Sequence, residues 1–104
     1  MAYLSVIITE YVDDSQPGWV RCIFLDADGK EWAIVEKGPI VYANTLTSET
    51  RYPQSGQVAC QILTEHIDSN NRRVLTIDIS FPFAMETEDG QTKFDVFADQ
   101  VVED

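Results

Sequence analysis

Thiol and imidazole chemistry in this sequence rests on few side chains. His66 is the only histidine of the 104-residue chain, and Cys22 and Cys60 are its only thiols. His66 stands near the end of an apolar alternating run, after Glu65 and before Asp68. A zinc site needs three or four closely placed nitrogen or sulfur ligands, and the chain has neither a Cys-x-x-Cys nor a second histidine. A cysteine paired with His66 is the one nucleophile–base arrangement that these residue types allow. Against it, Cys22 and Cys60 both sit inside apolar runs (Arg21-Cys22-Ile23-Phe24 and Ala59-Cys60-Gln61-Ile62), where a thiol packs as a small, inert hydrophobe.

Acidic residues are plentiful, so pairs of them carry little information. Asp26-Ala27-Asp28-Gly29 invites a calcium reading, but an EF-hand loop with its glycine at position 6 needs oxygen ligands at positions 1, 3, 5 and 12. Anchored on Gly29, those positions are Phe24, Asp26, Asp28 and Val35; anchored on Gly90, position 1 is Met85. Both fail, and Asp-Gly reads as hairpin chemistry. The remaining acids concentrate in turns (Asp13, Asp14, Glu86, Glu88, Asp89), where they read as solvated tips rather than catalytic carboxylates. With no Gly-rich phosphate loop and no G-x-S-x-G motif, the expected catalytic, cofactor and metal sites are none.

The elements that would position these residues are strands. Residues 3–12 alternate, with Leu4, Val6, Ile8 and Val12 on one face and Tyr3, Ser5, Ile7, Thr9 and Tyr11 on the other. Two apolar runs then flank an Asp-Gly, the strongest short-range hairpin signal. A two-residue loop there would set Asp26 opposite Glu31. A three-residue loop, Ala27-Asp28-Gly29, instead sets Asp26 opposite Lys30 and puts Gly29 at the left-handed position. That register gathers Val20, Cys22, Phe24, Trp32 and Ile34 on one face. It leaves Trp19, Arg21, Ile23, Leu25, Glu31, Ala33, Val35 and Lys37 on a mixed face.

Beyond Gly38-Pro39, Ile40-Val41-Tyr42 reads as a short edge strand, and residues 43–57 as a long irregular segment anchored by Leu46. Val58 to Glu65 reads as a strand, and Asp68-Ser69-Asn70-Asn71 as a turn. Val74 to Phe81 alternates, with Leu75, Ile77, Ile79 and Phe81 inward and Val74, Thr76, Asp78 and Ser80 outward. After Pro82 and the apolar Phe83-Ala84-Met85, a second acidic turn leads to a strand at Lys93 to Phe97, which Val101-Val102 would extend. No stretch sustains a 3.6-residue period.

The pattern predicts one all-β domain over residues 1–104, a small antiparallel β-barrel or barrel-like sandwich of about six to eight strands. Residues 53–97 also resemble the C-terminal β-barrel domain of elongation factor Tu. Phe81, Pro82, Phe83, Ala84, Met85, Glu86, Lys93 and Phe94 carry that likeness. It implies a closed barrel. The family's terminal Gly-Arg-Thr-Val-Gly run is replaced by Ala98-Asp99-Gln100-Val101, and an acidic surface is at odds with contact to tRNA.

Charge narrows the partners. Seven basic against 18 acidic residues give a net charge of −11, a field that repels phosphate and attracts basic proteins. The opening run has no basic segment and is too short in apolar length for a signal peptide or a spanning helix, so a cytoplasmic protein without nucleic-acid or membrane contact is expected. The expected function is a non-enzymatic protein-interaction module for a basic partner. An acidic immunity-type inhibitor of a basic nuclease or toxin is one alternative, and a ligand-binding or enzymatic barrel using His66 is another. The candidate contact surface comprises Trp19 and Arg21 on the mixed hairpin face, with Tyr42, Phe83 and Met85.

Overall fold

The computed structural model describes residues 1–15, 18–41 and 46–103. Among them the strands are β1 (Ala2–Asp13), β2 (Trp19–Leu25), β3 (Glu31–Lys37), β4 (Gln54–Ile67), β5 (Arg73–Asp78), β6 (Lys93–Phe97) and β7 (Val101–Glu103). One helical turn, α1 (Gly38–Val41), follows β3, and a 3₁₀ turn at Ala98–Gln100 separates β6 from β7. The strands form one antiparallel sheet in the order β3-β2-β1-β4-β5-β6, curled into a half-barrel, and β7 returns to pair with β1. The expected all-β, barrel-like architecture is the one the chain adopts.

Two long strands organise the curl, each serving more than one neighbour. β4 gives Gln54–Cys60 to β1 and Gln61–Ile67 to β5, on opposite edges. β1 meets β4 along one edge; along the other it meets β7 from Ala2 to Leu4 and β2 from Ile7 onward. The inward positions of these strands build one core: Leu4, Val6 and Ile8; Val20, Cys22 and Phe24; Ile34; Val58 and Cys60; Leu75 and Ile77; Phe94 and Val96. Each fully buried aliphatic or aromatic side chain here contributes roughly 1.5–3 kcal/mol of transfer free energy. Phe94 packs edge-on against Phe24 and Trp32, with ring centroids 5.1 and 5.0 Å apart, which draws the β2–β3 hairpin onto β6. The amide of Ala27 completes that closure by donating to the Asp95 carbonyl at 2.7 Å.

The hairpin register follows the three-residue loop. Asp26 N–H donates to the Lys30 carbonyl, Gly29 N–H donates to the Asp26 carbonyl, and Gly29 has φ +82°. A positive φ costs glycine nothing. The same pattern recurs twice. In Asp68–Arg72 the left-handed residue is Asn71, and in Thr87–Gln91 it is Gly90. In each turn the first side chain accepts amide hydrogens of the loop. Asp26 Oδ1 serves Asp28 and Lys30, Asp68 Oδ1 serves Asn70 and Arg72, and Thr87 Oγ1 serves Gln91. One local chemistry therefore makes all three reversals.

Several expectations are corrected. A bulge between Ile8 and Glu10 inserts Thr9 into β1, so beyond it Tyr11 packs on the core and Val12 is exposed. Ile40 and Val41 belong to a helical turn rather than a strand, because Pro39 suits the first helical position and Val41 packs into the core; Tyr42 lies outside the described residues. Gln54–Gln57, read as loop, are the start of β4, while Leu46 is a buried anchor as expected. Val74 is buried between cross-strand neighbours His66 and Phe97 instead of facing out. The alternation beyond Asp78 also breaks. Ala84 N–H donates to the Ser80 carbonyl and Met85 N–H to that of Ile79, a tight loop that seats Met85 in the core and leaves Phe81 59% exposed. Finally, Val101–Glu103 do not prolong β6 but cross to β1.

Candidate functional site

An open cleft of about 1100 Å³ lies at a fork in the sheet. β7 pairs with β1 as far as Leu4, and β2 joins the same edge only at Ile7. Among the described residues Ser5 and Val6 therefore have no strand partner on that side, and the end of β2 peels away toward the hairpin tip. Gln100 spans the gap: its Nε2–H donates to the Leu25 carbonyl at 2.8 Å, and its Oε1 accepts the Phe97 amide at 2.8 Å.

Tyr3, Ile7, Ile23, Leu25, Ile40 and Phe97 supply the apolar lining. Ile7 and Leu25 are exposed there, Leu25 by 52%. Asp26 and Asp28, at the hairpin tip, are the only charged residues among those lining the cleft. The Asp26 carboxyl is pushed up by partial burial. Hydrogen bonds from the Trp32 indole and from the Lys30 and Asp28 amides outweigh that effect and hold it below the usual carboxylate range. Asp26 is thus a fixed, ionised wall of the cleft, whereas the exposed Asp28 projects no hydrogen bond into the turn beyond its own amide.

The candidate surface from sequence does not assemble here. Trp19 is half-buried outside the cleft, with the Lys37 ammonium 5.5 Å from its ring centre. Arg21 is committed internally: its Nη2 lies 3.1 Å from Glu88 Oε1, which with Glu88 N–H donating to the Ala33 carbonyl fastens the β5–β6 loop along β3. Phe83 is 53% exposed on that loop, away from the cleft. Met85, at 1% exposure, is core and offers no contact surface. Sequence reasoning missed Ile7, Ile23 and Leu25, although their signal was legible: all three are large aliphatics at positions that the alternation assigned outward.

The thiol and imidazole groups do not converge. Cys60 and His66 lie six positions apart on one strand, about 20 Å at strand rise, so they cannot form a nucleophile–base pair. Cys22 pairs with Ile8 and Cys60 with Ala2, which places the two thiols about 20 Å apart along β1, well beyond disulfide reach. Both are free and buried, and burial pushes the Cys22 thiol up to about 12 and the Cys60 thiol up to about 11. Among the described residues no three His, Cys, Asp or Glu side chains gather where they could hold a metal ion, and no helix is long and apolar enough to cross a membrane. No family model, curated protein or solved structure matches the chain.

Proposed function

We propose that the chain is a non-enzymatic interaction module that holds an apolar, cationic segment of a basic protein in the cleft at the β2/β7 fork. The observation that carries this reading is the lining itself: exposed aliphatics whose only charged companions are Asp26 and Asp28, on a chain of net charge −11. Small-molecule pockets usually enclose about 300–1,000 Å³. An open cleft of about 1100 Å³ suits a length of partner chain better. The acidic field speeds the encounter, and burial of Leu25 and Ile23 supplies the lasting affinity. An immunity-type inhibitor of a basic nuclease or toxin is the narrower form of this reading, and it calls for a gene encoding such a toxin beside this one. No observation favours a site built on His66.

The test is affinity capture from the source cell, followed by binding measurements with Asp28→Lys and Leu25→Asp. Both side chains are exposed, so folding is retained. Each change is expected to weaken the partner at least tenfold, and added salt to weaken it further. Capture of a partner whose affinity ignores both substitutions would move the interface elsewhere.

A further inference from the structure

β1 covers one edge of β4 as far as Cys60, whereas β5 covers the opposite edge from Gln61 to Ile67. Among the described residues, no strand lies on the β1-side edge of Gln61–Ile67. A row of backbone donors and acceptors is thereby open to another strand. Leu63 (41% exposed) and Ile67 (53%) stand along it, and a notch of about 270 Å³ bounded by Met1, Ile62, Phe81 and Glu103 lies at its inner end.

Charge and length together indicate the occupant. The chain as a whole carries −11, yet the stretch from Gln61 to Asp78 holds Glu65, Asp68 and Asp78 against Arg72 and Arg73, a net of −1. Glu65 is moreover gripped by Arg73 Nε and Nη2, at 3.0 and 2.8 Å. A second copy of the chain therefore meets little repulsion along Gln61–Ile67 itself, with Glu103 at the notch the one acid outside the stretch that lines it. The free stretch has Thr64 at its midpoint. A two-fold axis there pairs the whole stretch with itself: Gln61 opposite Ile67, Ile62 opposite His66 and Leu63 opposite Glu65. No acid faces an acid, and β1 blocks any longer overlap beyond Cys60.

We propose that two copies of this chain associate by antiparallel pairing of their Gln61–Ile67 edges about Thr64, joining β6-β5-β4 of each into one continuous sheet. The interface is isologous and uses up both free edges, so assembly closes at the dimer. The bulge between Ile62 and Thr64 increases the local twist of this edge. This edge is independent of the cleft, and the dimer stands or falls separately from the partner reading.

Sedimentation equilibrium over a wide concentration range tests it. The wild type is expected to pass from monomer to dimer and no further. Leu63→Glu sets like charges opposite Glu65 twice per dimer and is expected to weaken association about tenfold; Leu63→Lys sets opposite charges there and strengthens it. Val12→Glu and Val12→Lys, on exposed β1 positions away from the edge, make the same changes in net charge and leave the dimer constant unchanged. Leu63 is exposed, and circular dichroism confirms that its variants fold. A monomer at every concentration, equal shifts by Leu63→Glu and Leu63→Lys, or protection of the edge amides only in a complex with a different protein would each overturn the dimer.

Discussion

The indole Nε1–H of Trp32 donates to the Asp26 carboxylate at 2.9 Å, across the turn that joins β2 to β3. The Lys30 ammonium lies 4.0 Å from the centre of the same indole. One acid thereby serves the turn amides, the Trp32 indole and the wall of the cleft, so the fold and the candidate site share a residue.

Replacing Asp26 should therefore cost more than an ordinary turn mutation. Asp26→Ala leaves the Asp28 and Lys30 amides and the Trp32 indole without their acceptor, with an expected loss of about 1–3 kcal/mol in urea unfolding. Asp68→Ala removes the same turn acceptor without an indole and is expected to cost less. Equal costs would show that the Trp32 bond contributes nothing.

The depressed Asp26 pKa also has a sign. Because its folded value lies below its unfolded one, its contribution is present in full above the ordinary carboxylate range, near pH 4, and fades as pH falls through the folded value. Glu65, held down by Arg73, and Asp78, held down by Ser80, act in the same direction. Acid titration of stability should be shallower for Asp26→Asn than for wild type below about pH 4, with no change in slope near neutrality.

Gly56 marks a close approach between α1 and the sheet. A Cβ there would lie 2.7 Å from the Val41 carbonyl oxygen and 2.8 Å from Ile8 Cδ1, both in packed surroundings. Gly56→Ala is expected to destabilise the chain by about 1–3 kcal/mol and to shift the Ile8 and Val41 methyl resonances. Gly29→Ala meets open space, and its cost of about 1–2 kcal/mol arises from φ alone, leaving those methyls unmoved.

Native Cys22 and Cys60 should resist thiol reagents at neutral pH. Burial raises both pKa values, to about 12 and about 11, so the thiolate is scarce as well as inaccessible. Reaction with Ellman's reagent is expected to be limited by unfolding, complete in denaturant and slow without it. Fast labelling of either thiol in the folded protein would show that its strand opens locally.

What the sequence determined by itself was local. The β2–β3 register, the Gly29 turn and the Asp68 turn follow from chemistry contained within a few residues. The inward faces of β1 before its bulge, and of β2, β3 and β5 through Ile77, follow from a two-residue period that does not depend on what lies opposite. Wherever the outcome depended on a distant partner, only the tertiary structure decided it. The Thr9 bulge reverses the faces of Tyr11 and Val12 because β2 sets the pairing, and Gln54–Gln57 become strand because Ser5–Ile8 offer an edge. The loop after Ile79 buries Met85 and exposes Phe81, because its backbone hydrogen bonds to Ile79 and Ser80 turn the chain so that Met85 points inward. The cleft is of the same kind. Ile7, Ile23, Leu25 and Phe97 come from strands far apart in sequence, and they share a surface only because β2 and β7 meet one edge of β1 at different heights.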